Sequence, residues 1–132
     1  MKQKLLLAAS LLIVFSCCNE TEKKSQNFIQ ENVNFACKQY SLQTKIIEQS
    51  GRVLNPKTII DGKLKYIRPQ EWTSGFFPGS MWYLYELSGE EKWKELGIKY
   101  TEAIEEVKNL TSHHDVGFMI GCSFGNALRL TG

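Results

Sequence analysis

The stretch from Val116 to Leu130 constrains this chain most, because it reads as a helix that is apolar on more than one face. Val116, Phe118, Met119, Ile120, Phe124, Leu128 and Leu130 are spread round it, and a helix of that kind belongs inside a larger body. The helix ahead of it, Glu90 to Leu110, is different. Trp93, Leu96, Tyr100, Ala103, Ile104, Val107 and Leu110 make one apolar stripe, Glu90 and Glu91 sit at the positive N-terminal end, and Lys108 lies in the last turn. Glu95 and Lys99 are spaced as an i,i+4 ion pair. Two helical hairpins alone make a thin object, so these faces need partners, and the chain is expected to be one part of a larger domain.

The rest of the pattern is also helical. From Phe28 to Gln49, apolar residues recur at Ile29, Val33, Ala36, Tyr40 and Ile47, near one face of a 3.6-residue period, and Gly51 is a natural stop. Residues 52–71 hold Pro56, Asp61-Gly62 and Pro69 and read as a long loop with a short strand at Leu64 to Ile67. A further helix is expected from about Pro78 to Ser88-Gly89, its proline placed where a missing N–H costs nothing. The expected class is all-α, with about four helices.

The N-terminus reads as an export signal. Lys2 and Lys4 precede an apolar run from Leu5 to Phe15, too short to span a bilayer but right for a signal core. Val14-Phe15-Ser16-Cys17 then resembles a lipobox, which makes Cys17 the expected lipidation site and the protein a membrane-anchored lipoprotein of a bacterial cell envelope. The expected organisation is a signal peptide over 1–16, a tether over 17–27 and the folded part over 28–132. Residues 19–27 contain nothing apolar, as a solvated tether would.

Charge and cysteine content exclude other classes. Of 16 basic residues, cleavage before Cys17 removes Lys2 and Lys4, leaving 14 against 14 acidic residues. That balance gives no support for nucleic-acid binding. Cys37 and Cys122 lie in apolar helical contexts without metal-ligand spacing, and read as buried thiols rather than a disulfide. No metal and no cofactor is expected.

Two segments carry chemistry. Residues 72–82, Trp-Thr-Ser-Gly-Phe-Phe-Pro-Gly-Ser-Met-Trp, combine aromatic faces with Gly75 and Gly79, which permit close backbone approach. Phe77 and Trp82 are expected in the core, while Trp72 ends a loop and is the candidate wall of a sugar site. The second segment is His113-His114-Asp115-Val116-Gly117-Phe118-Met119. Asp115 is one of two aspartates, the other being Asp61 in an Asp-Gly turn. Its plainest role is an N-cap, accepting a backbone N–H of the first turn; that role is compatible with a functional carboxylate facing outward. On a uniform helix Met119, Cys122 and Asn126 fall within about 40° of Asp115. Asn126 is a candidate buried polar support, and Arg129 lies too far along to partner Asp115. Adjacent His113 and His114 point apart and make a poor metal pair.

Together the segments W-T-x-G-F-x-x-G and H-D-x-G-F-M resemble glycoside hydrolase family 88, the unsaturated glucuronyl hydrolases. The resemblance implies an (α/α)6 barrel of six helical hairpins, of which this chain would be an N-terminal part. It also implies that Asp115 is catalytic and that Trp72, His114 and Asn126 bind substrate. The substrate implied is an oligosaccharide ending in a 4,5-unsaturated uronic acid, as left by a polysaccharide lyase. An acid protonates C4, water adds at C5, and the hemiketal collapses with release of the next sugar, a departure from the usual carboxylate pair of glycosidases. The family's general acid/base is a later aspartate, and neither Asp nor Glu follows Asp115 here, so the chain alone is expected to be inactive. Two rival readings are an unsaturated rhamnogalacturonyl hydrolase, disfavoured by the Trp72–Gly79 segment and by Phe124-Gly125-Asn126, and a non-catalytic glycan-binding surface lipoprotein.

Overall fold

The computed structural model describes residues 2–111 and 114–132, with side chains described from residue 22 onward. Helix α1 runs over Lys2–Gln49, and the stretch read as a tether is helical within it and exposed from Glu22. The side chain of Cys17 lies outside the described residues. The chain divides into two compact units, residues 1–36 and 37–132. In the first, Phe28, Ile29 and Phe35 are exposed, so Ile29 is not on a buried stripe.

In the second unit, the end of α1 buries Cys37, Thr44 and Ile47 and half-buries Tyr40. Their 3- and 4-residue spacing is that of one helical face, with Thr44 made tolerable by donating to the Ser41 carbonyl at 3.1 Å. The stretch 52–71 holds the expected short strand, β2 Lys63–Ile67, but the part read as loop before it supplies a second strand, β1 Asn55–Ile60, paired with it antiparallel in a hairpin. Asp61 and Gly62 both take positive φ, 50° and 72°, which is the two-residue turn whose twist matches its flanking strands. The fold is therefore mostly helical, as expected, with one hairpin inserted.

Helix α2 spans Phe76–Ser88, two residues earlier than expected, and stops at Gly89 in the left-handed conformation (φ 70°), whose N–H bonds to Tyr85 O. Helix α3, Glu91–Glu102, ends sooner than its stripe suggests, and Glu105–Asn109 form a 3₁₀ turn. The stripe explains the change. In a 3₁₀ turn residues i and i+3 eclipse, so Ile104, Val107 and Leu110 line up and meet Met119 in one cluster. Lys99 pairs with Glu48 at 3.7 Å rather than with Glu95.

Helices α2 and α3 pack as a hairpin on the largest side chains of the core. Trp82 and Trp93 are fully buried and Phe77 nearly so, as the sequence led one to expect of Trp82 and Phe77. Trp82 Nε1 donates to Thr101 Oγ1 at 3.0 Å, which satisfies the indole inside the core. Gly97 makes room for that ring: a Cβ there would come within 2.9 Å of it. The last stretch is not one uniform helix. It is α4 Val116–Ile120, a π turn over Gly121–Gly125, and α5 Asn126–Thr131.

Candidate active site

The approach to α2 is wound by three successive i→i+3 hydrogen bonds, Glu71 N to Arg68 O, Ser74 N to Glu71 O and Phe76 N to Thr73 O. Gln70 Nε2 ties this lead-in to Glu106 at 2.7 Å. Trp72 therefore sits in a braced turn, 45 % exposed, with its ring edge-on to Phe76 at 5.6 Å. Phe76 is exposed as well, whereas Phe77 stacks on Tyr40 (5.8 Å) and meets Tyr100 edge-on (4.7 Å) in the interior. The motif thus splits its aromatics cleanly between surface and core. Burial pushes the Tyr100 phenol up to about 12, so it stays neutral.

What joins the two motif segments is the pair of glycines. A Cβ on Gly75 would lie 2.3 Å from the Met119 carbonyl oxygen, and one on Gly79 would lie 2.8 Å from that of Cys122. Real side chains do not approach backbone so closely, so α2 presents a bare notch in which the second segment's main chain rests. The contacts advance together along both segments, 75 with 119 and 79 with 122, so the two run in the same direction. Trp72 precedes the first helix and Asp115 begins the second, which places both at one end of the packed pair.

Asp115 occupies the N-cap position of α4, but its side chain makes no capping hydrogen bond. Its backbone carbonyl accepts from Phe118 N at 2.9 Å and Met119 N at 3.3 Å instead. The plain N-cap reading is corrected accordingly: the position is right and the carboxylate is not spent on it. That carboxylate is 21 % exposed and lies 3.3 Å from His114 Nε2, whose ring is largely in solvent. His113 lies outside the described residues.

Asn126 is buried, as expected of a polar support. Its amide donates to the Cys122 carbonyl at 2.9 Å, and its Oδ1 accepts from Arg129 Nε and Nη2 at 3.2 and 3.0 Å. Arg129 then grips Glu86 on α2 through two parallel bonds, 2.7 and 2.8 Å. Such a fork is the strong form of the Arg–carboxylate pair; its hydrogen bonds hold Glu86 below the ordinary carboxylate range and raise Arg129. Sequence reasoning missed this clamp, since nothing local links positions 86 and 129. The hydrogen bonds of Asn126 run to the clamp rather than to Asp115 or Trp72 among the described residues. The π turn also shifts which residues face inward: Met119, Ser123 and Asn126 are buried, and Cys122 is half-buried. Both Cys37 and Cys122 are free thiols, and burial raises that of Cys122.

The arrangement offers a carboxylate with an imidazole beside it and an exposed indole at the same end of the pair. That is suited to holding a polar ring by stacking and by charge-assisted hydrogen bonds. Among the described residues no cluster of three or more His, Cys, Asp and Glu could hold a metal ion.

No family model matches the chain. It is 42 % identical over 60 residues to an unsaturated glucuronyl hydrolase of Formosa agariphila, covering 46 % of this chain and 15 % of that protein. It is 34 % identical over 71 residues to an unsaturated glucuronyl hydrolase of a Bacillus species, covering 49 % and 19 %. An unsaturated chondroitin disaccharide hydrolase of Streptococcus agalactiae is 26 % identical over 107 residues, covering 79 % and 26 %. In structure it resembles an unsaturated glucuronyl hydrolase specific for heparin, with a TM-score of 0.59 and 42 % identity over 61 % of this chain and 22 % of that one. The chain thus spans about a quarter or less of the proteins it matches. Over the matched stretch it is a relative of the unsaturated glucuronyl hydrolases, like those of glycoside hydrolase family 88, and its helices fit as part of their (α/α)6 barrel.

Proposed function

We propose that this chain forms part of a hydrolase that removes a 4,5-unsaturated uronic acid from lyase-generated oligosaccharides. The observation that carries the reading is the glycine notch, which holds Trp72 and Asp115 at one end of two packed helical segments. In this reading Trp72 stacks on the unsaturated ring, His114 contacts it, and Asp115 acts at the reacting centre. Asn126 supports the site through the Glu86–Arg129 clamp rather than by touching sugar. Hydration of the C4=C5 bond needs a proton donor at C4 and an oriented water at C5. Asp115 is the single acidic residue in its segment, so the reading calls for a second acid from outside that segment.

The test follows the ultraviolet absorbance of the double bond. A longer protein carrying these residues should consume an unsaturated glucuronyl disaccharide, and the 132 residues alone should not. In the longer protein Trp72→Ala should raise KM about tenfold, near the lower end of the roughly 1.5–3 kcal/mol gained by burying a large apolar face, with little change in melting temperature because the ring is half exposed. No turnover by the longer protein would remove the reading, turnover by the 132 residues would place every acid it needs among them, and an unchanged KM in Trp72→Ala would take that indole out of the site.

The basic start, short apolar run and Ser16-Cys17 junction motivate a second element of the proposal, a lipid anchor on Cys17. In a bacterial host, Cys17→Ser should abolish labelling by a fatty-acid analogue and move the protein out of the membrane fraction. Labelling that survives the substitution rules the anchor out.

A further inference from the structure

A separate cavity of about 290 Å³ opens between the end of α1, the hairpin and the outer face of α2. It is near the lower size limit of small-molecule sites, roughly 300 Å³. Phe76 and Ser80 line it from a face of α2 about 100° round the helix from Gly75 and Gly79. It is therefore distinct from the notch that carries Asp115. Lys57 is the one formally charged residue in its lining, and its position is unusual. Pro56 pairs with Tyr66 and Thr58 with Lys65, so Lys57 is the extra residue of a β-bulge. Bulges re-aim a side chain and recur beside binding sites. Tyr40, Gln43 and Thr73 add a phenol, an amide and a hydroxyl to the lining. Ser80 Oγ donates to the Phe76 carbonyl at 2.9 Å and keeps its lone pairs for an incoming donor. Phe76 itself is 41 % exposed and meets the Trp72 ring edge-on, so it is common to the cavity and to the wall of the candidate active site.

We infer that this cavity is a second sugar subsite, taking one ring that bears an anionic group, with Lys57 on the anion and Phe76 against the ring. Its ligand class rests on the hydrolase reading; its location and charge preference rest on the cavity alone. A carboxylate and a sulfate are the two anions a sugar of this kind carries, and both suit a single ammonium. The site would select oligosaccharides with a charged residue beyond the unsaturated end.

The experiment titrates the isotope-labelled 132-residue chain with glucuronic acid, glucose 6-sulfate and glucose, following backbone amide shifts. Either or both anionic sugars should move the amides of Gln43, Lys57, Thr73 and Ser80, and which of them does so identifies the anion. Glucose should bind about fivefold more weakly, the weight of one ion pair at a solvent-exposed lysine. Lys57→Gln should erase that difference and Lys57→Arg should restore it. Because Lys57 is an exposed residue of the hairpin, these variants should fold. Equal binding of glucose, shifts confined to other residues, no shift at all, or an unaffected Lys57→Gln would each overturn the proposal. The readout is binding rather than turnover, so a failure of the hydrolase reading would leave amide shifts at the cavity intact.

Discussion

Asp115→Asn in a longer protein that carries these residues is expected to lower turnover of an unsaturated disaccharide by about 10²–10⁴-fold, the range associated with losing one acid–base group. The fold should survive. Asparagine is as good as aspartate at an N-cap and nearly the same size, so the melting temperature should fall by no more than a few degrees, as expected for a change of about 1 kcal/mol. Loss of double-bond absorbance and thermal melting by circular dichroism measure the two quantities on one sample. Turnover within a few-fold of the parent would mean that Asp115 is structural and that the reacting carboxylates lie elsewhere.

The largest stability effect is expected from Gly75→Ala. A Cβ there meets three backbone atoms of Met119 at 2.3, 2.7 and 2.9 Å, and backbone cannot rotate away as a side-chain tip can. Overpacking of this kind costs about 1–3 kcal/mol and occasionally more, or a melting-temperature drop of about 4–8 °C per kcal/mol in a domain of this size. Gly117→Ala is the internal control. Nothing lies within 4 Å of its Cβ, so helix propensity alone should act and stability should rise by about 0.4–1 kcal/mol. If both substitutions shift the melt alike, the two segments are not seated on one another as described.

Much of this was legible in the sequence, for reasons that differ element by element. Helix α2 and the burial of Phe77 and Trp82 follow from aromatic density at helical spacing with a glycine stop. The hairpin was legible too, in the Asp61-Gly62 pair, but Pro56 and the lysines of β1 and β2 masked the alternation that marks a strand. The break after Glu102 was not, because the stripe through Leu110 fits a continuous helix equally well and only the position of Met119 decides between them. Of the site, the residue types in both motifs pointed to a carboxylate and a stacking face. Their shared end and the Glu86–Arg129 clamp depend on which helix faces which, and spacing along the chain does not encode that.

Gly117, Gly121 and Gly125 recur at every fourth position of the segment that begins at Asp115. Each glycine in a helix costs about 1 kcal/mol relative to alanine, so about 3 kcal/mol opposes helix formation within 15 residues. Alone, such a peptide would be mostly coil. Its order comes from the face that is covered, Met119, Ser123 and Asn126, and that cover is shared by the notch of α2 and the Ile104–Leu110 turn. The two motifs therefore behave as one cooperative unit of local opening. A fluctuation that lifts 115–131 from α2 also releases its helical hydrogen bonds, and the carboxylate and the indole lose their common frame in the same event.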